Sequence, residues 1–184
     1  MILEIVKYGH PALRTKGALV KEVNPTIRKL AVDMLETMVA AHGVGLAAQQ
    51  VGVPIKLTVI DVAGIEDRPS TMSIGGRPVS VDAHMPLVLL NPELTPGKVK
   101  ESGNEGCLSF PEISAEIVRA RSVKAKAHQL DGTTIEFEAT GLLARALQHE
   151  VDHLHGILFI DRMNSASKAS LAGKLKRLKS ETTG

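Results

Sequence analysis

Residues 148–153 read Gln148-His149-Glu150-Val151-Asp152-His153, near the end of an apolar-periodic run that begins at Gly141. At roughly 100° per residue, His149 and His153 fall about 40° apart on one helical face, close enough for both imidazoles to share a metal ion. On the same wheel Leu142, Leu143, Ala146, Leu147, Val151 and Leu154 occupy one half, with Glu150 near its middle. Arg145, Gln148, Asp152 and His155 fill the other half. A carboxylate therefore points into the buried sector, where a charge is costly unless it is paired or put to use. In a His-Glu-x-x-His pattern the glutamate can handle the proton of a metal-bound water, which gives Glu150 a use. The competing reading is a pair of core histidines with no metal.

Two histidines do not complete a site. A metzincin-like continuation needs x-x-Gly-x-x-His after His153; Gly156 fits the glycine, but the last position is Phe159. A thermolysin-like continuation needs a glutamate from a following helix, and the only glutamate after Glu150 is Glu181, in the tail. The best remaining ligand is Cys107, in Asn104-Glu105-Gly106-Cys107-Leu108-Ser109, where the glycine permits close backbone approach and neighbouring amides can face an oxyanion. Two histidines and one cysteine leave a fourth position for water, which is the catalytic rather than the structural arrangement. By itself a lone cysteine reads as a small buried hydrophobe. It also excludes an intrachain disulfide and points to a reducing cytosol.

A third stretch, His42-Gly43-Val44-Gly45-Leu46-Ala47-Ala48-Gln49-Gln50, has no strand before it and no Lys-Ser or Lys-Thr after it. Neither a dinucleotide nor a phosphate loop fits. The small residues Gly43, Gly45, Ala47 and Ala48 predict a backbone lying close to a substrate or to the histidine helix, or else a tight helix-to-strand turn.

With 184 residues, 43% of them hydrophobic, the chain suits one domain with a sizeable core. The formal net charge of +2 gives no overall polyanion signal, so DNA is not an expected partner. No apolar run is long enough for a membrane span, and residues 1–6 are too few for a signal peptide. Residues 2–6 read as a short strand. Asn24 with Pro25 predicts a helix start, and the apolar spacing from Ile27 to Met38 carries that helix to about His42, where Gly43 stops it. Residues 55–62 and 87–90 read as strands, the latter ended by Asn91-Pro92, and residues 113–118 as another. Asp131-Gly132 separates two alternating runs and predicts a hairpin with both turn residues at positive φ and Lys facing Glu across the strands. Residues 64–86 read as a long loop with a short hairpin around Gly75-Gly76, and His84 within it as a surface histidine. Residues 165–184 form a basic C-terminal helix or tail, with Leu171, Leu175 and Leu178 on one face among Lys168, Lys174, Lys176, Arg177 and Lys179.

Taken in order, residues 43–50, 105–109 and 148–153 resemble the peptide deformylase family. The similarity covers most of the chain, including Gly9-His10-Pro11-Ala12-Leu13-Arg14 and the Asp131-Gly132 turn. It implies an α+β fold: a single compact domain over residues 1–184, with antiparallel β-sheets packed around the central metal-binding helix, an N-terminal helix and a C-terminal helix. The implied activity is a metal-dependent hydrolase that removes the N-formyl group from the N-terminal formyl-methionine of newly made polypeptides and releases formate. Cys107, His149 and His153 would hold Fe2+ (ferrous iron), with zinc or nickel able to substitute; ligand type alone would favour zinc. Gln50 and the backbone N–H of Leu108 would stabilise the oxyanion, and Glu150 would be general base and then acid. The implied substrate-binding residues are Gly43, Val44, Gly45, Glu105, Gly106, Leu142 and Ala146, with Glu105 also pairing with Arg119. The methionine side chain would lie near Val44, Leu142 and Ala146. The family's C-terminal region can contact the ribosome, which makes the basic tail an expected contact. The 64–86 loop is longer than in the compact bacterial members. Two readings compete: a non-catalytic metal-stabilised interaction module, and a metallopeptidase with unusual Cys/His/His ligation.

Overall fold

Asn24 caps the first helix as its sequence predicts, its side chain accepting the Ile27 N–H at 2.9 Å, with Pro25 at the first helical position. The computed structural model, which describes residues 1–184, runs this helix, α1, over Pro25–Ala40. It stops before Gly43 because His42 itself takes the left-handed conformation (φ 57°), and the Gly43 N–H reaches back to Met38 O at 3.0 Å. Nine strands follow: β1 Gly45–Ala47, β2 Leu57–Ile60, β3 Ser70–Ile74, β4 Arg77–Val79, β5 Leu87–Pro96, β6 Lys100–Cys107, β7 Phe110–Ala120, β8 Ser122–His128 and β9 Thr134–Thr140. Helices α2, Gly141–Leu154, and α3, Ser165–Thr183, close the chain.

All pairings between these strands are antiparallel. Seven strands form one sheet in the order β1-β2-β5-β8-β9-β3-β4, while β6 and β7 make a separate two-stranded sheet. The fold is thus the expected α+β domain with α2 at its centre. Leu142, Leu143, Ala146 and Leu147 of α2 pack with Leu89, Val123, Ala125 and Phe137 of the large sheet. A second cluster, around Leu13, Phe110, Ile117 and Phe159, lies beneath α3 and takes Leu171, Leu175 and Leu178 against it. Lys168, Lys174, Lys176, Arg177 and Lys179 stay exposed. Met34 and Met38 of α1 cover Leu46, Leu57 and Leu90, so that helix's methionines are core. No helix is long and apolar enough to cross a membrane.

Several local expectations need correction. Residues 2–6 form no strand, because their donors go elsewhere: Leu3 N–H to Thr37 Oγ1 and Val6 N–H to Gln50 O, each at 2.8 Å. Asn91-Pro92 does not end β5, which continues through a bulge with Asn91 at φ 51°. The Asn91 carboxamide bonds the backbone N–H and C=O of Val20, both at 2.9 Å, in place of a strand partner. The β8–β9 hairpin has the expected Lys–Glu pairs, Lys124–Glu138 at 3.6 Å and Lys126–Glu136 at 3.5 Å, but only Gly132 of its turn has positive φ. Asp131 instead accepts bonds from Thr133, in a longer loop. Within residues 64–86 the β3–β4 hairpin turns at Gly75 and Gly76, and β3 joins the large sheet beside β9.

Gly141, where β9 becomes α2, sits at φ 70°, and a Cβ there would lie 2.0 Å from Pro69 O. Gly141→Ala is expected to cost at least about 2 kcal/mol from the left-handed backbone and the clash together. In a chain of this size that lowers Tm by roughly 4–8 °C, which thermal unfolding would read directly.

Candidate active site

Helix α2 is buried on nearly every side, because the two-stranded sheet covers the half that the wheel made polar. Arg145 is only 7% exposed. Gln148 bonds both backbone groups of Ala120, and Asp152 pairs with Arg119 and Arg162. The helix thus carries its histidines between two sheets. The turn from β6 to β7 delivers Cys107 to the same point, with Cys107 opposite Phe110 and only Leu108 and Ser109 between them.

The ligand atoms of Cys107, His149 and His153 all lie within 4.8 Å of one another, with Cys107 Sγ 3.4 Å from His153 Nε2. His149 Nδ1 lies 2.9 Å from Glu105 Oε1, which leaves Nε2 for the cysteine side. Glu150, 4% exposed, has no partner for its Oε1 atom, an orphaned acceptor beside this cluster. One thiol and two imidazoles converging next to an unpaired buried carboxylate fit a divalent transition-metal cation.

The electrostatics are set by burial and by close partners. Burial would raise the Glu105 carboxyl, but hydrogen bonds from His149 and Arg119 and the charge of Arg119 outweigh it and hold it at about 2. Burial pushes Glu150 up to about 7, near neutrality, although His149 opposes the shift. For His149 burial favours the neutral form, yet Glu150, Cys107 and Glu105 together raise it well above its ordinary value. Burial and the neighbouring His149 hold His153 well below its own.

A cavity of about 640 Å³ opens onto this cluster. Its wall includes every expected site residue except His153: Gly43, Val44, Gly45, Gln50, Glu105, Gly106, Cys107, Leu108, Leu142, Ala146, His149 and Glu150. His153, 1% exposed, lies behind the cysteine. The Gln50 carboxamide is fixed at both ends: Oε1 accepts the Ala47 N–H at 2.9 Å, and Nε2 donates to Ser109 Oγ at 3.2 Å, 3.6 Å from Cys107 Sγ. Gln49 turns away to Thr15 O. The Leu108 N–H is bonded to no acceptor within the chain. Gly45 is required by the carboxylate itself, since a Cβ there would lie 2.5 Å from Glu150 Oε2.

Glu105 stands differently from its expected place among substrate-binding residues. Its oxygens are taken by Arg119 Nε and Nη2 at 2.6 and 2.9 Å, Arg145 Nη1 at 2.8 Å and His149 Nδ1. It borders the cavity, and both its side-chain oxygens are occupied by two arginines and a histidine. The expected Arg119 pair is present; the Arg145 pair was missed. The signal lay in the spacing, one helical turn before His149, but Arg145 stood among the polar residues of the other half-wheel. Ser109, which orients Gln50, had no signal beyond its place after Cys107.

Both sheets leave an edge open here. Strand β1 pairs only with β2, and β6 only with β7. Their free edges, at Gly45 and at Glu105 to Cys107, border the cavity. Such edges accept an extended peptide as an added strand.

The polypeptide deformylase family model matches residues 2–169. The chain is 46% identical over 179 residues to a peptide deformylase of Methylacidiphilum infernorum, covering 97% of this chain and 94% of that protein. It is 41% identical to a peptide deformylase of Opitutus terrae, covering 97% and 93%. Among solved structures, Arabidopsis thaliana peptide deformylase 1B in complex with an inhibitor superposes with a TM-score of 0.83 at 34% identity, covering 97% of this chain and 91% of that one. The Thermotoga maritima peptide deformylase gives 0.76 at 36% identity, covering 89% and 99%.

Proposed function

The chain belongs to the peptide deformylase family, and from that membership we propose that it removes the formyl group from the N-formyl-methionyl ends of newly made polypeptides, releasing formate. The observation that carries the reading is the convergence of Cys107, His149 and His153 beside Glu150, at a cavity bordered by two open strand edges.

Cys107, His149 and His153 would hold the cation, which when bound supplies Lewis acidity that lowers the pKa of an attacking water and polarises the formyl group. We assign it as ferrous iron on the family resemblance; zinc and nickel suit the same donors. Glu105, locked by Arg119 and Arg145, keeps the His149 ring in its orientation. The peptide backbone pairs with the free edges at Gly45 and Gly106, and the methionine side chain enters between Val44, Leu142 and Ala146. This places the formyl oxygen toward Gln50 Nε2 and the Leu108 N–H, which stabilise the negative charge that develops there. Glu150 takes a proton from the attacking water and returns it to the nitrogen as the C–N bond breaks. The products are formate and a free amino terminus. Its buried carboxyl, held near neutrality, is suited to both transfers.

The proposed compartment is the cytoplasm, where a free cysteine stays reduced. The exposed cations of α3 are the proposed contact with the ribosome. Anaerobic, iron-loaded protein given formyl-Met-Ala should release formate and free Met-Ala. Release of alanine with the formyl group retained would mean a peptidase; bound metal without any product would mean an interaction module. Neither alternative draws support from the family matches.

Gln50→Ala removes one oxyanion donor and should lower kcat by roughly 10²–10³-fold. Steady-state kinetics at saturating formyl-Met-Ala would check this, and a fall confined to KM would contradict it.

A further inference from the structure

One cation on the cavity wall has no part in the proposed reaction. Arg68 lies between β2 and β3, exposed, and its one hydrogen bond runs from Nη2 to Asn104 O at 3.2 Å. Arg119 and Arg145 are both held in ion pairs, Arg145 with Glu105 and Arg119 with Glu105 and Asp152. Arg68 has no carboxylate partner, and most of its five N–H donors are free.

Its place along β6 gives it a target. A peptide whose formyl end sits at Cys107 cannot continue past the cysteine, because that end is closed by the Leu108–Ser109 turn, with Leu108 packed tightly on Gly43. The chain must leave in the other direction, past Gly106 toward Asn104. Asn104 is three residues from Cys107, roughly 10 Å along an extended edge. The Arg68 guanidinium therefore stands beside the second or third residue of the peptide, counting formyl-methionine as the first. Glu112, an exposed acid on the same wall, lies at the closed end, beyond the Gly106–Ser114 pair. Glu101, three residues further along β6, borders with Arg68 a separate hollow but forms no ion pair with it, and Glu66 and Asp67 border neither that hollow nor the cavity.

Resting on the deformylase reading, we infer that Arg68 is a specificity-determining residue that favours nascent chains carrying a carboxylate side chain at their second or third position. The test uses formyl-Met-X-Ala-amide and formyl-Met-Ala-X-amide, with X as Asp, Asn or Lys, so that no terminal carboxylate competes. In at least one series kcat/KM should favour Asp over Lys by about threefold to fivefold at low salt, the upper part of the range of an exposed ion pair. The ratio should fall toward one in 1 M NaCl, where the Debye length is about 3 Å. Arg68→Gln should collapse it, Arg68→Glu should invert it and Arg68→Lys should keep it. An Asp-to-Lys ratio of one in both series, or a preference that survives in Arg68→Gln, overturns the assignment. Formate from none of these peptides, nor from formyl-Met-Ala, overturns the reaction itself and this role with it; formate from formyl-Met-Ala with equal ratios overturns only the role.

Discussion

Glu150→Gln is expected to lower kcat on formyl-Met-Ala by roughly 10²–10⁴-fold, the range for loss of a positioned acid–base group, while the protein retains its metal. The substitution keeps the shape of the side chain, which matters because Gly45 leaves no slack: a Cβ on that glycine would lie only 2.5 Å from Glu150 Oε2. It removes only the capacity to take and return a proton. None of the three proposed metal donors is touched, since these are Cys107, His149 and His153. Folding should not suffer, because a buried carboxyl with an unpartnered oxygen is a burden to the fold rather than a support. Formate release and elemental analysis on the same preparation make the check. Turnover within tenfold of wild type at full metal content would show that the proton moves by another route.

Glu105→Ala should be the most damaging change to stability outside the hydrophobic core. The carboxylate, 6% exposed, is shared by Arg119, Arg145 and His149. Removing it strands charge away from water, which typically costs about 3–5 kcal/mol, a fall in Tm of roughly 6–20 °C at this chain length. Asp152 still partners Arg119, and the carbonyls of Ile117 and Glu101 still accept from Arg145, which sets the loss toward the lower figure. Metal affinity should fall by roughly 10–100-fold, because His149 loses the group that orients it. The pH dependence has a definite sign. Glu105 is held at about 2 in the fold against an ordinary 4.5, so its contribution is complete above about 4.5 and is lost as pH falls toward 2. Chelator-treated wild type should lose stability across that window more steeply than the variant. Parallel acid-unfolding curves would contradict the proposed role of the network.

The contrast between Arg145 and Glu150 shows where reading by residue spacing stops. Both stand on α2, and helical periodicity placed both, but only Glu150 looked out of place. Arg145 fell in a polar half-wheel that resembles an ordinary solvated face. Its burial comes from β6 and β7, whose contacting residues Glu101, Glu105 and Ile117 lie 28 to 44 positions away in the chain. Asn91 is a similar case. A strand break was the local expectation for Asn-Pro, yet a backbone segment 71 residues distant offers the carboxamide two bonds and lets β5 continue.

The sequence by itself determined what depends on short spacing. Two imidazoles and a carboxylate share one helix, Asn24 starts another, and the alternating runs around Asp131-Gly132 form a hairpin. With Phe159 where a third histidine would stand and no glutamate after Glu150 but Glu181, Cys107 is the best remaining ligand. These follow from 3.6- and 2-residue periodicity and from the chemistry of caps and turns, which a chain carries locally. Residue spacing alone left Gln49 and Gln50 equivalent, the family resemblance named Gln50, and only the tertiary structure decided that Glu105 bonds a histidine and that two strand edges are left free beside the cavity. Each of those depends on which distant donor or acceptor reaches a buried group first, and packing, not spacing, settles that.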